Sequence, residues 1–245
     1  MNVKKIIESA KNDPLHSLIS KIYKNPDGYF DEYQAYKEAY YFYYLSMERL
    51  FQEMSIASRW RSSCYYILKY GGKYSTQERK IATKYNYIKK YIELDYVNFI
   101  IHARILLDRI LPLIRNFFDG HKNKPSFISF ADHKKFFLRN NDVSFYKPFE
   151  QYAHYLRNCT DWFDNELKFI RDKFIVHHFS APKHLKLTGF PNFGACEMEY
   201  IFIVPENSGK PFTKTKTILC NAKNLAEEIN KFLNFFNNYW ISQLE

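Results

Sequence analysis

Apolar residues recur every three to four positions along most of this chain, a spacing that predicts helices packed on one face. Val3 to Tyr23 reads as one helix, or as two short ones broken near Pro14, before Asn25-Pro26-Asp27-Gly28 turns the chain. The pattern from Asp31 to about Tyr70 is helical, and Gly71-Gly72 stops it. Ser75-Thr76-Gln77-Glu78 restarts a helix with good capping chemistry, and that segment runs toward Tyr91. From about Asp95 to Phe118, Phe99, Ile100, Ala103, Leu106, Leu107, Ile110, Leu111 and Ile114 mark a broad buried face, which Asp119-Gly120 ends.

The second half is less uniform. A short helix is predicted near Phe130 to Leu138, and Pro148 fits the first turn of the next. That helix, or helix pair, continues to His177 or His178. Asn158-Cys159-Thr160-Asp161 is the candidate interruption, with Thr160 capping the second part, and Ala181-Pro182 forbids much continuation. Leu185 to Cys196 reads as a loop. Met198 to Val204 reads as a strand, Pro205 to Pro211 as a turn, and Phe212 to Leu219 as a partly exposed second strand. Asn221 is placed to cap a final helix reaching about Ser242. The expectation is a mainly α chain, one domain over 1–245. It has a helical core over about 31–180, a loop and late β-hairpin over about 185–220, and a closing helix over about 221–243.

Composition changes this picture little. Hydrophobic residues make up 46% and charged residues 25%, which is ordinary for a globular chain. The 21 Tyr and 23 Phe can fill a core or stack on bases, but AT-rich coding raises Phe, Tyr, Lys, Asn and Ile together and accounts for most of them. The net charge of +10 permits an anionic partner such as nucleic acid without establishing one. Cys64, Cys159, Cys196 and Cys220 form no CxxC pair, which argues against a zinc site. The start of the chain lacks a signal-peptide apolar core, and His102, Arg104, Asp108 and Arg109 interrupt the most apolar helix. A reducing cytoplasm is the expected compartment.

Several chemistries lack their parts. There is no GxxxxGK[ST] loop, GxGxxG, HExxH or GxSxG, and Glu150 and His154 have the wrong spacing for a di-iron bundle. His102, Arg104 and Asp108 read as satisfied buried polar residues or a solvated edge. Tyr33, Tyr36, Tyr40, Tyr41, Tyr43 and Tyr44 read as core packing with hydroxyls at the rim. His121, His133 and His184 fall in or near loops with no ligand spacing.

The octet Arg171 to His178 remains. It sets a permanent cation, a carboxylate and two imidazoles at the end of a long amphipathic run. A guanidinium can hold a phosphate and an imidazole can move a proton near neutral pH. A charged helix end also suits the helix dipole and needs no function. At about 100° per residue, Arg171 and His178 share a helix face, while His177 points about a third of a turn away. The stretch is too extended for one chain's Arg and His to clasp one phosphate; two copies across a symmetry axis would form a composite site.

The octet resembles the signature of the HEPN superfamily: Arg, usually a polar residue next, and four to six positions before a His. Asp172 follows Arg171, and His177 and His178 follow after five and six intervening residues. The phrase Arg171-Asp172-Lys173 is especially like members whose catalyst would be His177. The resemblance implies an up-and-down helical bundle, to which a late hairpin would be an elaboration. It further implies a homodimeric endoribonuclease needing no metal or cofactor. Arg171 would hold the scissile phosphate, His177 would act as general base or acid, His178 would catalyse instead or support it, and Asp172 would orient Arg171 or the imidazole. RNA is the implied partner, because the 2′-hydroxyl attacks. Such proteins are often toxins or act in antiviral defence, sometimes beside a nucleotidyltransferase antitoxin. Other relatives bind RNA, nucleotides or a protein partner without cutting.

Overall fold

Two long helices carry more than half of the α-helical backbone. In the computed structural model, which describes residues 6–8, 11–23, 30–70, 76–139, 147–172, 186–187, 200–205 and 212–244, a short helix α1 (His16–Ile22) precedes α2 (Phe30–Tyr70) and α3 (Thr76–Arg109). Neither long helix contains Gly or Pro, so each propagates without a weak point. Asp31 and Glu32 sit in the first turn of α2, where negative charge opposes the helix dipole favourably. Tyr43 meets Phe99, Phe42 stacks on His102, and Arg49 reaches Asp95. As residue numbers rise on α2 they fall on α3, so the pair is antiparallel.

The chain after α3 differs from the sequence expectation in a way Pro112 explains. The Asp95–Phe118 helix was expected to be continuous, yet α3 stops at Arg109 and a 3₁₀ helix takes Pro112–Phe118. Proline lacks the N–H that an α-helix needs and its ring crowds the carbonyl four residues back. Two further helices follow, α4 (Phe130–Arg139) and, after a 3₁₀ turn at Lys147–Phe149, α5 (Glu150–Asn158). A helical stretch over 161–172 comes next, π-helical at Phe163–Lys168 and again at 171–172. The last helix, α6, spans Ile218–Ser242. The architecture is mainly α. Short extended backbone stretches, β1 (Lys186–Leu187), β2 (Tyr200–Pro205) and β3 (Phe212–Thr217), lie antiparallel in the order β1-β2-β3, with Ile201 opposite Thr217. Among the described residues no helix is long and apolar enough to cross a membrane.

The core gathers around α6. Phe232, Phe236 and Trp240 are fully buried along one face, at the i, i+4 spacing that stacks side chains on a helix. Trp240 meets Phe117 with ring centres 4.7 Å apart and Tyr152 at 5.0 Å. Phe118 stacks on Phe149 at 4.5 Å. Each such pair adds roughly 0.5–1.5 kcal/mol beyond simple burial. Of the tyrosine run, Tyr36, Tyr40 and Tyr43 are buried as expected, whereas Tyr41 is 58% exposed. The α1 end is tied to α6 by the Leu18 amide, which donates to Asn237 Oδ1.

Two local expectations fail for clear reasons. Thr160 does not cap the stretch that follows it: its hydroxyl donates back to the Leu156 carbonyl, satisfying the C-terminal end of α5 instead. Asn221 does not cap α6, which begins at Ile218; it is buried inside the helix and bridges two other elements. His133 lies in α4, within the helix expected near Phe130 to Leu138, and is fully buried. The turns expected at Asn25-Pro26-Asp27-Gly28 and Gly71-Gly72, the break at Ala181-Pro182 and the turn over 206–211 lie outside the described residues.

Candidate functional site

The stretch over 161–172 is held from three sides before it reaches Arg171. From α4, the Lys134 ammonium, 3% exposed, donates to the Thr160 carbonyl at 2.9 Å and to Asp164 Oδ2 at 2.6 Å. From α6, Asn221 Nδ2 donates to Glu166 Oε2 at 2.5 Å, while Asn221 Oδ1 accepts from the Tyr96 hydroxyl of α3. From α3, the Arg104 guanidinium lies over the Phe163 ring at 4.7 Å, and Phe130 meets the same ring edge-on. Phe163, Leu167 and Ile170 face inward, leaving Arg171 and Asp172 partly exposed at the end of the described stretch. π-helical turns are frequent at functional sites.

Arg171 is engaged with its neighbour. Its Nε donates to Asp172 Oδ1 at 2.7 Å and its Nη2 lies 2.6 Å from the same oxygen, with side-chain exposures of 32% and 25%. The Nε–Nη2 edge, which grips a carboxylate or phosphate side-on, is thus occupied by an internal carboxylate. His177 and His178 lie outside the described residues.

Arg104, more deeply buried than Arg171, forms a second ion pair with Asp108 that the sequence alone reads as ordinary. Arg104 Nη2 is 3.3 Å from Asp108 Oδ1 and donates to Ser129 Oγ at 2.9 Å. Asp108 Oδ1 also accepts from the Phe130 amide at 2.7 Å. Burial, the largest influence on each, pushes Arg104 down and Asp108 up from their ordinary pKa values. Their mutual attraction opposes both shifts, and a guanidinium does not deprotonate in proteins, so Arg104 stays charged beside Asp108. Arg171 bears on both members, and Asp172 and Asp132 also bear on Arg104. The expectation that these polar residues are satisfied holds for Asp108 but not for Arg104. Nε and Nη1 of Arg104 are buried and find no hydrogen-bond partner among the described residues. A signal for Arg104 was present: it shares the Ile100, Ala103, Leu107 face of α3, with Asp108 at i+4. Lys134 carries the same mark on the Phe130, His133, Phe137 face of α4.

The other polar groups nearby do not suit an anion. Trp162, Glu166, Asn224, Leu225, Glu227 and Glu228 line an open hollow of about 370 Å³ whose three carboxylates repel phosphate. His133 is wholly structural in its contacts. A carbonyl can only accept, so Nδ1–H donates to the Ser126 carbonyl at 2.8 Å and Nε2 accepts from the Tyr152 hydroxyl at 3.0 Å. Burial lowers its pKa to about 4. Among the described residues no group of three or more His, Cys, Asp or Glu is placed to hold a metal ion. Compared with family models, with curated proteins and with solved structures, this chain finds no match.

Proposed function

We propose that this chain is a HEPN-like endoribonuclease that cleaves RNA without a metal, through a composite site formed by two copies. The observation that carries the reading is the setting of Arg171. Its guanidinium stands partly exposed at the end of a helical stretch pinned by Lys134, Asn221 and Arg104, at the point where the Arg-x5–6-His spacing begins. A pre-positioned cation at that point can hold a phosphodiester and stabilise charge that grows on its oxygens. His177 then removes the 2′-hydroxyl proton or protonates the leaving 5′-oxygen, with His178 as its support or substitute. The ribose oxygen attacks phosphorus and the P–O5′ bond breaks, giving a 2′,3′-cyclic phosphate and a 5′-hydroxyl end. Before phosphate arrives, Asp172 orients Arg171 through the contact described above. Action as a toxin or in antiviral defence, a nucleotidyltransferase antitoxin as partner, a cytoplasmic setting, a single HEPN-like domain and a late hairpin elaborating the bundle belong to the same proposal.

The occupied edge of Arg171 favours one alternative, a module that binds RNA or nucleotides, or a protein partner, without cutting. The experiment that separates the two compares wild type with Arg171→Ala, His177→Ala and His178→Ala on mixed RNAs in EDTA. A nuclease loses cutting in Arg171→Ala and in one His variant; a binding module shows no cutting in any protein. Light scattering on the same samples should show a dimer.

A further inference from the structure

We propose that Arg104 is a positioning residue of this site: it receives the Asp172 carboxylate when a phosphate takes Arg171, and so frees the gripping edge of Arg171. The inference rests on the reading of Arg171 as the phosphate-holding group.

In the structure Asp172 Oδ1 takes both Nε and Nη2 of Arg171. A phosphate arriving at that edge meets a carboxylate already in place, and two anions on one guanidinium repel at short range. For phosphate to take that edge Asp172 has to move, and its new position has to supply donors, since a carboxylate in a partly buried site without them is costly. Arg104 has those donors. Its Nη2 is committed to Asp108 and Ser129, while Nε and Nη1 are buried with no acceptor among the described residues. Unsatisfied buried donors on a charged group are destabilising, and an arriving carboxylate relieves them.

Phe163 holds the Arg104 plane from the same helical stretch that bears Arg171 and Asp172, and both of these charges act on Arg104. Asp132, which also acts on Arg104, lies on an exposed turn of α4. Before binding, Arg171 pairs with Asp172 and Arg104 with Asp108. After binding, Arg171 pairs with phosphate, and Arg104 bridges Asp108 and Asp172. No charge is left alone in either state, so the repulsion between the two guanidiniums is screened throughout.

The test is a double-mutant cycle read by binding of inorganic phosphate to the full chain, using Arg171→Ala, Asp172→Asn, Arg104→Met and the Arg104→Met/Asp172→Asn double variant. Asp172→Asn, which removes the competing charge, should bind phosphate about fivefold more tightly, and Arg104→Met about fivefold more weakly, each near 1 kcal/mol. In the Asp172→Asn background, Arg104→Met should change affinity little, because no carboxylate needs a new partner. Equal weakening in both backgrounds would assign Arg104 a merely structural role and overturn the proposal, as would no weakening in either. On the wild type itself, which needs no variant to fold, the Arg104 Nε–H resonance should move with phosphate titration as it gains an acceptor; an unmoved Arg104 signal beside a shifting Arg171 signal overturns it as well. If Arg171→Ala binds phosphate as wild type does, or if wild type binds none, the reading of Arg171 itself fails and the Arg104 exchange falls with it.

Discussion

Lys134 and Asp164 form a 2.6 Å ion pair that joins α4 to the stretch leading to Arg171, with the lysine buried and the aspartate 44% exposed. The same ammonium donates to the Thr160 carbonyl, so one side chain fixes both the start of the stretch and its second turn. Lys134→Met keeps the packed stem but removes both bonds. Charge-assisted bonds are worth about 1.5–3 kcal/mol each, less where the partner is half exposed, so the expected loss is about 2–3 kcal/mol. Urea unfolding should show the midpoint fall with an unchanged slope, and an unchanged midpoint would mean that the pair holds nothing.

His133 makes stability depend on pH in a stated direction. Its folded pKa is about 4 against an ordinary value of 6.5, because burial disfavours the imidazolium. The unfolded chain therefore binds more protons across that window, and stability falls as the pH is lowered from about 6.5 towards 4. The full loss is about 3 kcal/mol for a shift of this size. Urea midpoints at closely spaced pH values should show that loss in wild type and lack it in His133→Gln.

Glu53 acts with the opposite sign. Glu53 Oε2 and Asp95 Oδ2 are both buried with no hydrogen-bond partner among the described residues, and Asp95 is one of the groups that act on Glu53. Burial first, then the hydrogen bond and charge of Asp95, push Glu53 up to about 7. A carboxyl raised in the folded state contributes stability below its unfolded pKa that is lost as the pH rises through the folded one, here from about 4.5 to about 7. Glu53→Gln should remove this decline, so that the variant gains on wild type between pH 5 and pH 8. A parallel pH profile for the two proteins would contradict the raised Glu53.

These residues also show what a sequence can and cannot disclose. Helix α2 was legible because it runs on for many turns without Gly or Pro, whereas the sequence of α3 reads as two segments, one ending near Tyr91 and one starting near Asp95, although it is a single helix over Thr76–Arg109. Their ends were less so: Pro112 stops α3 early, and the π-helical turns before Arg171 follow from no local residue signal. Arg171 and Asp172 stood out by type and spacing. Arg104 and Lys134 did not, although each sits on an apolar face, because whether a buried cation is satisfied depends on residues far along the chain. Ser129 meets Arg104 and Asp164 meets Lys134 only after the helices have packed. Asn221 had capping chemistry in sequence, and only packing turned it towards Glu166 and Tyr96.

Asn221 gives a further test of how the site stretch is held. Asn221→Ala leaves the Tyr96 hydroxyl and Glu166 without this bridge, and loss of buried bonds of this kind costs about 1–3 kcal/mol. Asn221→Asp should be worse, since it sets a carboxylate against Glu166. Thermal unfolding of the two variants should rank them in that order; an Asp variant as stable as wild type would contradict the bridge.

The central claim is that Arg171 serves a reaction in which the RNA's own 2′-hydroxyl attacks. The most direct measurement follows one RNA, cut by wild type in EDTA, alongside the same oligonucleotide with a single 2′-deoxyribose placed 5′ of the cut phosphate. The account predicts a 2′,3′-cyclic phosphate end on the first, no cutting at that position on the second, and neither product with Arg171→Ala. Cutting of the deoxy-substituted position at the same rate, or an unchanged rate in Arg171→Ala, would contradict it.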